Sequence, residues 1–383
     1  MNAVPATPKP RNDQAVRVMV VDDSVVIRGL ISRWLDALPD IEVAVTCRNG
    51  EDAVKKIADA DVDIVILDIE MPVMDGMTAL PKLLQAAPGV RVLMASTLTR
   101  RNADISLKAL KLGAADYVPK PESTREGNAP EEFQRELVAK IRGLGRRRRP
   151  AMRAGSATSP AAQPGARRPL SPAPAAAPKP IVLQPASKTR PRIVAIGSST
   201  GGPRALFDLL GALSPSLERL PVVITQHMPA TFTSILAEHI EGVAKRPCVE
   251  GQTGMKVEPG KIYVAPGGFH MKFEAKGTDT FIKLDDSAPV NFCRPSVDPM
   301  LDSLIAIYGP AILTCILTGM GHDGRDSARR VQQGGGTVIA QDEETSVVWG
   351  MPGAVAQAGI CHKVLPLGQL AETMARLIVG GVS

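Results

Sequence analysis

Short apolar runs alternate with amphipathic stretches over residues 15–121. The apolar runs predict strands over residues 17–21, 63–67, 90–95 and 116–118. In the first stretch between them, residues 25–38, apolar side chains recur at the spacing of one helix face. Strands that alternate with helices in this way predict a parallel sheet covered by helices.

The same alternation returns after residue 191. Apolar runs there predict strands over residues 192–196, 222–225, 312–317 and 337–340. Helical spacing predicts helices over residues 203–213, 231–242 and 298–308. A second α/β unit with a parallel sheet is therefore expected.

A compositional break separates the two units. Residues 151–187 are dominated by Pro, Ala, Ser and Arg, and they cannot bury enough apolar surface to offset their ordering entropy. This composition predicts a flexible or partly extended linker. Shortly before it, Phe133, Leu137 and Ile141 share one helix face, so residues 130–144 are a candidate last helix of the first unit.

Together the patterns predict an α/β protein of two doubly wound parallel-sheet domains joined by a flexible linker. A chain of 383 residues is long enough for both. The predicted divisions are a disordered N-terminus over residues 1–14, a first domain over 15–125, a Pro/Ala/Arg-rich linker over 126–190 and a second domain over 191–383.

The positive net charge of +6 is largely local, because Arg146 to Arg149 form an uninterrupted basic run in the linker. A DNA-binding output domain is one alternative that this run suggests. However, the sequence shows no helix-turn-helix and no basic sheet interleaved with aromatic residues. We therefore expect a solvated linker and no specific nucleic acid partner.

The N-terminal residues and the cysteines indicate where the protein resides. The first 14 residues are polar and Pro-rich, unlike a signal peptide, and no apolar run is long enough for a membrane span. The five cysteines are scattered and form no CxxC pair, so neither a zinc site nor a disulfide framework is indicated. These features predict a cytoplasmic protein without membrane insertion.

Acidic residues follow two predicted strands of the first domain. Asp22 and Asp23 come after the first strand, and Asp68 follows the next. The carboxyl ends of parallel strands meet at one sheet edge, where three carboxylates repel one another unless a hard cation shares them. Mg²⁺ fits such oxygen ligands best. Ser96 and Lys120 follow two further strands and are placed to hold phosphoryl oxygens.

Residues 18–121 resemble a two-component receiver domain, which has a flavodoxin-like fold. The matching motifs are VVDDS (20–24), LDIEMPVMDG (67–76), MAST (94–97) and DYVPKP (116–121). The resemblance implies Asp68 as the phosphoacceptor, with Asp22 and Asp23 completing a Mg²⁺ site. It also implies Ser96 and Tyr117 as the switch residues and Lys120 as the phosphate partner.

In the second domain, the first strand runs into the glycine-rich turn GSSTGGP over residues 197–203. Such a turn has three interpretations, which the turn alone leaves open. It can be a well-capped turn, it can bind phosphate, or it can expose a nucleophilic serine near a helix N-terminus. The turn matches neither GxGxxG nor GxxxxGK[ST], the two phosphate-binding patterns.

Two more residues with catalytic chemistry follow later strands. His227 comes after the strand at residues 222–225, and Asp323 lies in the glycine-rich stretch 318–324. Singly, His227 is typical of a structural histidine and Asp323 of a helix cap, and His322 is a rival base. As a set, Ser, His and Asp at three strand ends favour a hydrolytic triad, which is defined by geometry and not by chain order.

Residues 192–380 resemble the catalytic domain of the chemotaxis protein-glutamate methylesterase family. The matching stretches are IGSSTGGP (196–203), VVITQHMP (222–229), YVAPGGFHM (263–271), NFCRPSVDPML (291–301), ILTGMGHDG (316–324) and VVWGMPGAV (347–355). The resemblance implies Ser199 as nucleophile, His227 as base and Asp323 as the residue that orients the base. It implies the Met320 N–H as oxyanion donor, and a Rossmann-like α/β fold.

The two resemblances together imply a phosphorylation-activated esterase. It would hydrolyse glutamyl 5-O-methyl esters on methyl-accepting chemotaxis receptors, release methanol through an acyl-enzyme, and deamidate specific receptor glutamines. The expected partners are those receptors and a chemotaxis histidine kinase, the expected state is a monomer, and the esterase itself would need no cofactor. The alternative is a response regulator whose output domain binds nucleotide or acts as a scaffold.

Overall fold

The computed structural model describes residues 15–120, 129–145 and 180–380. The predicted N-terminal tail over residues 1–14 and the basic run Arg146 to Arg149 lie outside these ranges. The described residues form two parallel sheets and one antiparallel hairpin. The predicted fold class, two α/β domains with doubly wound parallel sheets, is confirmed.

The first sheet has five parallel strands in the order β2-β1-β3-β4-β5. The strands are β1 (Val16–Val21), β2 (Ile41–Cys47), β3 (Ile64–Asp68), β4 (Arg91–Thr97) and β5 (Asp116–Lys120). The helices are α1 (Val25–Asp36), α2 (Gly50–Lys56), α3 (Gly76–Ala86), α4 (Arg100–Lys111) and α5 (Ala129–Gly145). Helices α1 to α4 each begin on a side chain that accepts a first-turn N–H, supplied by Ser24, Asn49, Asp75 and Thr99.

The second sheet has seven parallel strands in the order β14-β13-β12-β6-β7-β9-β8. They are β6 (Ile193–Ser198), β7 (Val222–Gln226), β8 (Cys248–Glu250), β9 (Ile262–Val264), β12 (Ile312–Ile316), β13 (Thr337–Gln341) and β14 (Lys363–Leu365). Strands β10 (His270–Lys276) and β11 (Asp279–Asp285) form the separate hairpin.

Helices cover both faces of this second sheet. They are α6 (Gly202–Leu213), α7 (Ala230–Ala244), α8 (Val297–Tyr308), α9 (Arg325–Gln333), α10 (Met351–Gln357) and α11 (Leu367–Val379). The central strand β6 is followed by β7 on one side, whereas β12 lies on its other side. The chain therefore changes direction across the sheet at β6, and such a point opens a crevice at the carboxyl ends of the strands.

Two parts of the predicted linker range of residues 126–190, residues 129–145 and 180–190, lie in the described ranges and pack against a domain. Residues 129–145 form α5, whose Phe133, Leu137 and Ile141 are buried against the first sheet. At the other end, residues 180–190 lie along the second domain, where Gln184 N–H donates to the Cys361 carbonyl at 2.8 Å. The helix predicted over residues 130–144 is thus present, and it belongs structurally with the first sheet.

The two halves pack against each other through α4 and β5 on one side and α6 and α7 on the other. The rings of Tyr117 and Phe232 are stacked, with centroids 4.3 Å apart and planes 7° from parallel. The Lys111 ammonium lies 4.6 Å from the centre of the Phe207 ring. No helix in the described ranges combines the length and the apolar character that a bilayer crossing requires.

Candidate functional site

Three carboxylates meet at the carboxyl edge of the first sheet, as predicted. Oxygen atoms of Asp22, Asp23 and Asp68 all lie within 4.8 Å of one another. The Lys120 ammonium lies 2.6 Å from Asp22 Oδ2 and 2.7 Å from Asp68 Oδ1. Burial raises the pKa of Asp68 to about 6, although Lys120 opposes the shift. This all-oxygen donor set fits a hard divalent cation such as Mg²⁺.

The two predicted switch residues lie in different surroundings. Ser96 is buried at the end of β4, and its hydroxyl is 3.1 Å from that of Ser106 on α4. Tyr117 on β5 is buried against Phe232 of the second domain, and burial raises the pKa of its phenol well above the ordinary value. The structure therefore connects Tyr117 directly to the second domain.

The end of β6 and the turn after it place two neighbouring serines in different surroundings. Ser198 is buried, and its hydroxyl donates to Gln226 Oε1 at 2.7 Å. Ser199 is only partly buried and lines a cavity. A Cβ at Gly202 would lie 2.0 Å from Gln226 Oε1, so a larger residue there would displace the side chain that holds Ser198. Of the two hydroxyls, Ser199 is the one available to a substrate.

His227 follows β7 and lies between a carboxylate and a thiol. Its Nε2 is 2.8 Å from Asp323 Oδ2, and its Nδ1 is 3.4 Å from Cys293 Sγ. Burial alone would lower the pKa of His227, but its contacts with Cys293 and Asp323 raise it to about 10. These contacts therefore favour the imidazolium form of the ring.

Asp323 is a buried hub of hydrogen bonds. Besides His227, it accepts bonds from Ser296 Oγ at 2.6 Å, Val297 N–H at 2.6 Å and Asn291 Nδ2 at 2.9 Å. Burial would raise the pKa of this carboxyl, but the bonds from His227 and the other donors hold it well below its usual range. Asp323 is thus ionised, and it stabilises the start of α8.

Two alternatives from the sequence are resolved by these contacts. The helix after Asp323 begins at Arg325 with Gly324 as its cap, so Asp323 does not cap that helix. The rival base His322 is exposed, and it is His227 that bonds Asp323. The geometry therefore groups His227 with Asp323 and leaves His322 outside the pair.

The candidate oxyanion donor lies in the loop after β12. Gly319 lies against Ser199, the predicted nucleophile, because a Cβ at that position would lie 2.8 Å from Ser199 Cβ. The next residue, Met320, has an N–H without a hydrogen-bond acceptor anywhere in the described ranges. A free N–H beside a serine is what an oxyanion site requires.

Ser199 and His227 line a cavity of about 580 Å³, together with Asn291, Cys293, Met320 and their neighbours. Its opposite wall comes from the first domain: Tyr117 and the α5 residues Glu132, Arg135, Glu136, Ala139 and Lys140. Within the described chain, Ser199 Oγ makes no hydrogen bond to His227. The structure thus brings the predicted nucleophile and the His–Asp pair to one cavity, with the first domain across its mouth.

Comparisons with known proteins agree with this architecture. Residues 194–374 match the family described as CheB methylesterase, and residues 18–129 match the response regulator receiver domain. A protein of Nitrobacter hamburgensis, named "Protein-glutamate methylesterase/protein-glutamine glutaminase", is 55% identical over 379 residues, which is 99% of this chain and 98% of that protein. A relative from Paramagnetospirillum magneticum with the corresponding name is 52% identical, covering 97% and 98% of the two chains.

The chain belongs to the protein-glutamate methylesterase/protein-glutamine glutaminase family. The crystal structure of the Thermotoga maritima CheB methylesterase catalytic domain is 42% identical to it. That structure covers 49% of this chain and 100% of its own, with a TM-score of 0.48.

Several residues of this methylesterase-family site were not singled out by sequence reasoning. They are Gln226, Asn291, Cys293 and Ser296, which hold or contact Ser198, Asp323 and His227. Three of them fall in the stretch 291–301 that resembles the family. That stretch is a turn followed by the start of α8. The expectation that functional residues follow the carboxyl ends of strands therefore does not identify it.

Proposed function

We propose that the protein hydrolyses glutamyl methyl esters on chemotaxis receptors, releasing methanol, and deamidates receptor glutamines to glutamate. The observation that carries the proposal is the meeting of Ser199, His227 and Asp323 at the carboxyl ends of the adjacent strands β6, β7 and β12. The names of relatives identical at 52–55% of positions over nearly the full chain support the same substrate chemistry.

In the first half of the reaction, Ser199 Oγ attacks the side-chain carbonyl of the substrate glutamyl group. His227 accepts the serine proton, and Asp323 stabilises the imidazolium that results. The Met320 N–H donates to the oxyanion of the tetrahedral intermediate. Methanol then leaves with the proton from His227, and Ser199 carries the acyl group. Ammonia leaves instead when the substrate is a glutamine.

In the second half, His227 removes a proton from a water molecule that attacks the acyl carbon, and glutamate is released from Ser199. The ring orientation determines which nitrogen serves both steps. Because Nε2 bonds Asp323, Nδ1 is the nitrogen that exchanges protons with Ser199 and with water. In the structure Nδ1 faces Cys293, so the ring must leave that thiol in its neutral form and turn to Ser199 before it can accept the serine proton.

The receiver domain is proposed to regulate this chemistry by covering the cavity. Helix α5 and Tyr117 form one wall of the cavity, so a receptor helix has no free path to Ser199 while the domains stay docked. Phosphorylation of Asp68 adds charge beside Lys120, Ser96 and the end of β5. The docked and undocked arrangements then shift in population toward the open one.

The phosphoryl donor is proposed to be a chemotaxis histidine kinase. Asp22, Asp23 and Asp68 would hold Mg²⁺, which neutralises charge on the phosphoryl oxygens when it is bound. Lys120 contacts Asp68 and is placed to pair with the phosphoryl group after transfer.

Methanol release from methylated receptor membranes tests the esterase. We expect Ser199→Ala to lower the rate by about 10⁴-fold or more, because the triad acts as a unit. Ser198→Ala is the matched control, since that hydroxyl bonds only Gln226 and should matter far less. Near-normal release by Ser199→Ala would contradict the assignment.

The same assay with a small-molecule phosphodonor and Mg²⁺ tests regulation. The wild type should respond to the donor, whereas Asp68→Ala should show low release that the donor leaves unchanged. Full activation of Asp68→Ala would contradict control through this residue.

A further inference from the structure

Cys293 is the one cysteine that reaches the cavity. It is partly exposed there, whereas Cys47, Cys248, Cys315 and Cys361 are buried. Burial raises the pKa of each of those four thiols, to about 11 for Cys47 and about 12 for Cys361. Cys293 therefore differs from the others in both access and surroundings.

A rigid turn holds the Cys293 thiol beside His227. The backbone of Cys293 pairs with Val290 through two hydrogen bonds of 2.9 and 3.1 Å. Between them, Asn291 adopts a left-handed conformation with φ 52°, and its amide bonds both Asp298 and Asp323 at 2.9 Å. The turn is thus tied to the same carboxylate that holds the far side of the imidazole.

The result is a second array that shares the catalytic base. Cys293 Sγ is 3.4 Å from His227 Nδ1, and His227 Nε2 is 2.8 Å from Asp323. Nδ1 has no other hydrogen-bond partner in the described ranges. A thiol that donates its proton to an imidazole backed by a carboxylate becomes a thiolate, which is the reactive form of cysteine.

We propose that Cys293 is a modification site for soft electrophiles and peroxides, activated by His227 and Asp323, and that its modification switches the esterase off. The activity part rests on the proposed function; the reactivity of the thiol does not. The other charged groups lining the cavity are Asp116, Arg294 and the α5 residues Glu132, Arg135, Glu136 and Lys140.

The chemistry with each reagent class is simple. With a haloacetamide, the thiolate sulfur forms a bond to the methylene carbon, the carbon–iodine bond breaks, and iodide leaves. With hydrogen peroxide, sulfur attacks one oxygen and the O–O bond breaks. Cysteine is oxidised to sulfenic acid and the peroxide is reduced, while the His227 proton combines with the departing hydroxide to give water.

Modification would block catalysis by occupying the space beside Nδ1. That nitrogen must accept the Ser199 proton, and a carbamidomethyl or sulfenic group on Cys293 lies directly in front of it. The serine itself stays unmodified, so the loss arises through the shared base.

Iodoacetamide labelling of the full chain, followed by peptide mass spectrometry, tests the reactivity. We expect Cys293 to react at least about tenfold faster than the four buried cysteines. Between pH 8 and pH 6 its rate should fall by less than about threefold, whereas an ordinary thiol with its pKa near 8.5 falls by roughly 100-fold. A profile like that of an ordinary thiol would overturn the proposal, even with preferential labelling.

The variant His227→Ala distinguishes activation of the Cys293 thiol by the imidazole from simple exposure of that thiol. The variant should label Cys293 at least about tenfold more slowly at pH 6.5, because the imidazole no longer takes the proton. Unchanged labelling in a folded variant would mean that access alone explains the reaction. If the variant does not fold, the pH profile of wild-type labelling still shows whether the Cys293 thiol is activated.

A third experiment compares methanol release by treated and untreated enzyme, for the wild type and for Cys293→Ser. Wild-type methanol release should decline in step with the fraction of Cys293 modified by iodoacetamide or peroxide. The activity that Cys293→Ser retains should be the same before and after treatment. Full release by completely labelled wild type would overturn the switch. Absence of release from untreated wild type would instead contradict the proposed function, and the labelling rates would still report on the thiol.

Discussion

Two buried aspartates at strand ends experience opposite environments. Asp323 accepts bonds from His227, Ser296, Val297 N–H and Asn291, and these hold its pKa well below the ordinary range. Asp68 is buried with a like charge nearby, and Lys120 compensates only in part, so its pKa rises to about 6. The first carboxylate is therefore a stable anion, whereas the second is destabilised when charged.

This difference predicts that Asp68→Asn stabilises the chain at high pH. The pKa of Asp68 is raised in the folded state, so the cost of its charge is complete above pH 6 and absent below about pH 4. We expect the free energy of unfolding to rise by about 1–3 kcal/mol at pH 8, and not at pH 4. Urea denaturation without divalent cations measures this.

A divalent cation provides the control. Mg²⁺ should stabilise the wild type at pH 8, because three carboxylates share its charge, and should stabilise Asp68→Asn much less. An Asp68→Asn variant less stable than wild type at pH 8 would show that the Lys120 pair outweighs burial.

Single residues at strand ends are what the sequence predicts best. Ser199, His227 and Asp323 each follow an apolar run, so the parallel topology alone brings them to one edge. The contacts of Cys293 and Asn291 with the His–Asp pair could not be predicted from the sequence, because both residues come from a turn outside the strands. The ring orientation of His227 could not be predicted either, because it depends on which residue each ring nitrogen hydrogen-bonds.

At the scale of elements, the loop after β12 packs closely against Ser199, the predicted nucleophile. Gly319 approaches Ser199 so closely that a methyl group there would meet both Ser199 Cβ and Met351 Sδ within 2.8 Å. The loop and the turn after β6 are therefore packed backbone to backbone, as a precise site requires.

We expect Gly319→Ala to lower methanol release by about 100-fold, because displacing a reacting group by about 1 Å has effects of that size. Folding should persist, which circular dichroism checks. Gly368→Ala is the matched control, since a Cβ at that position in α11 meets nothing within 4 Å. Unchanged release by Gly319→Ala would mean that Ser199 tolerates the shift.

The central strands and edge strand β5 were predictable, whereas the edge strands β2, β8 and β14 were not. Strands β3 and β6 are buried at every position, so they read as continuous apolar runs. Edge strand β2 is mostly half-buried, and the β10–β11 hairpin ends in exposed charged residues, so their apolar signal is weak. Helix α5 was recognisable from its spacing, but its place across the cavity depends on domain packing.

At the scale of the whole molecule, an ion pair and a hydrogen bond link the two domains. Arg100 lies 2.5 Å from Glu238, and Asp104 lies 2.8 Å from His239. Both pairs join α4 to α7. The exposed Arg100–Glu238 pair is worth up to about 1 kcal/mol, so it adjusts the docking equilibrium without dominating it.

Reversing one charge should loosen the docking. We expect Glu238→Arg to raise methanol release without phosphodonor by about 2- to 5-fold, because Arg100 would then face a like charge. The double variant Arg100→Glu/Glu238→Arg restores opposite charges and should return release to the wild-type level. Equal release from all three proteins would exclude a role for this pair in docking.

The surfaces that meet between the domains are also aromatic. Tyr117 covers Phe232, and the Lys111 side chain covers Phe207. Separating the domains brings these rings into contact with water, and exposure of apolar surface increases heat capacity. Apolar attraction weakens on cooling, so the docked arrangement loses part of its advantage at low temperature. The proposed restraint of the first domain on the esterase is thus intrinsically a function of temperature.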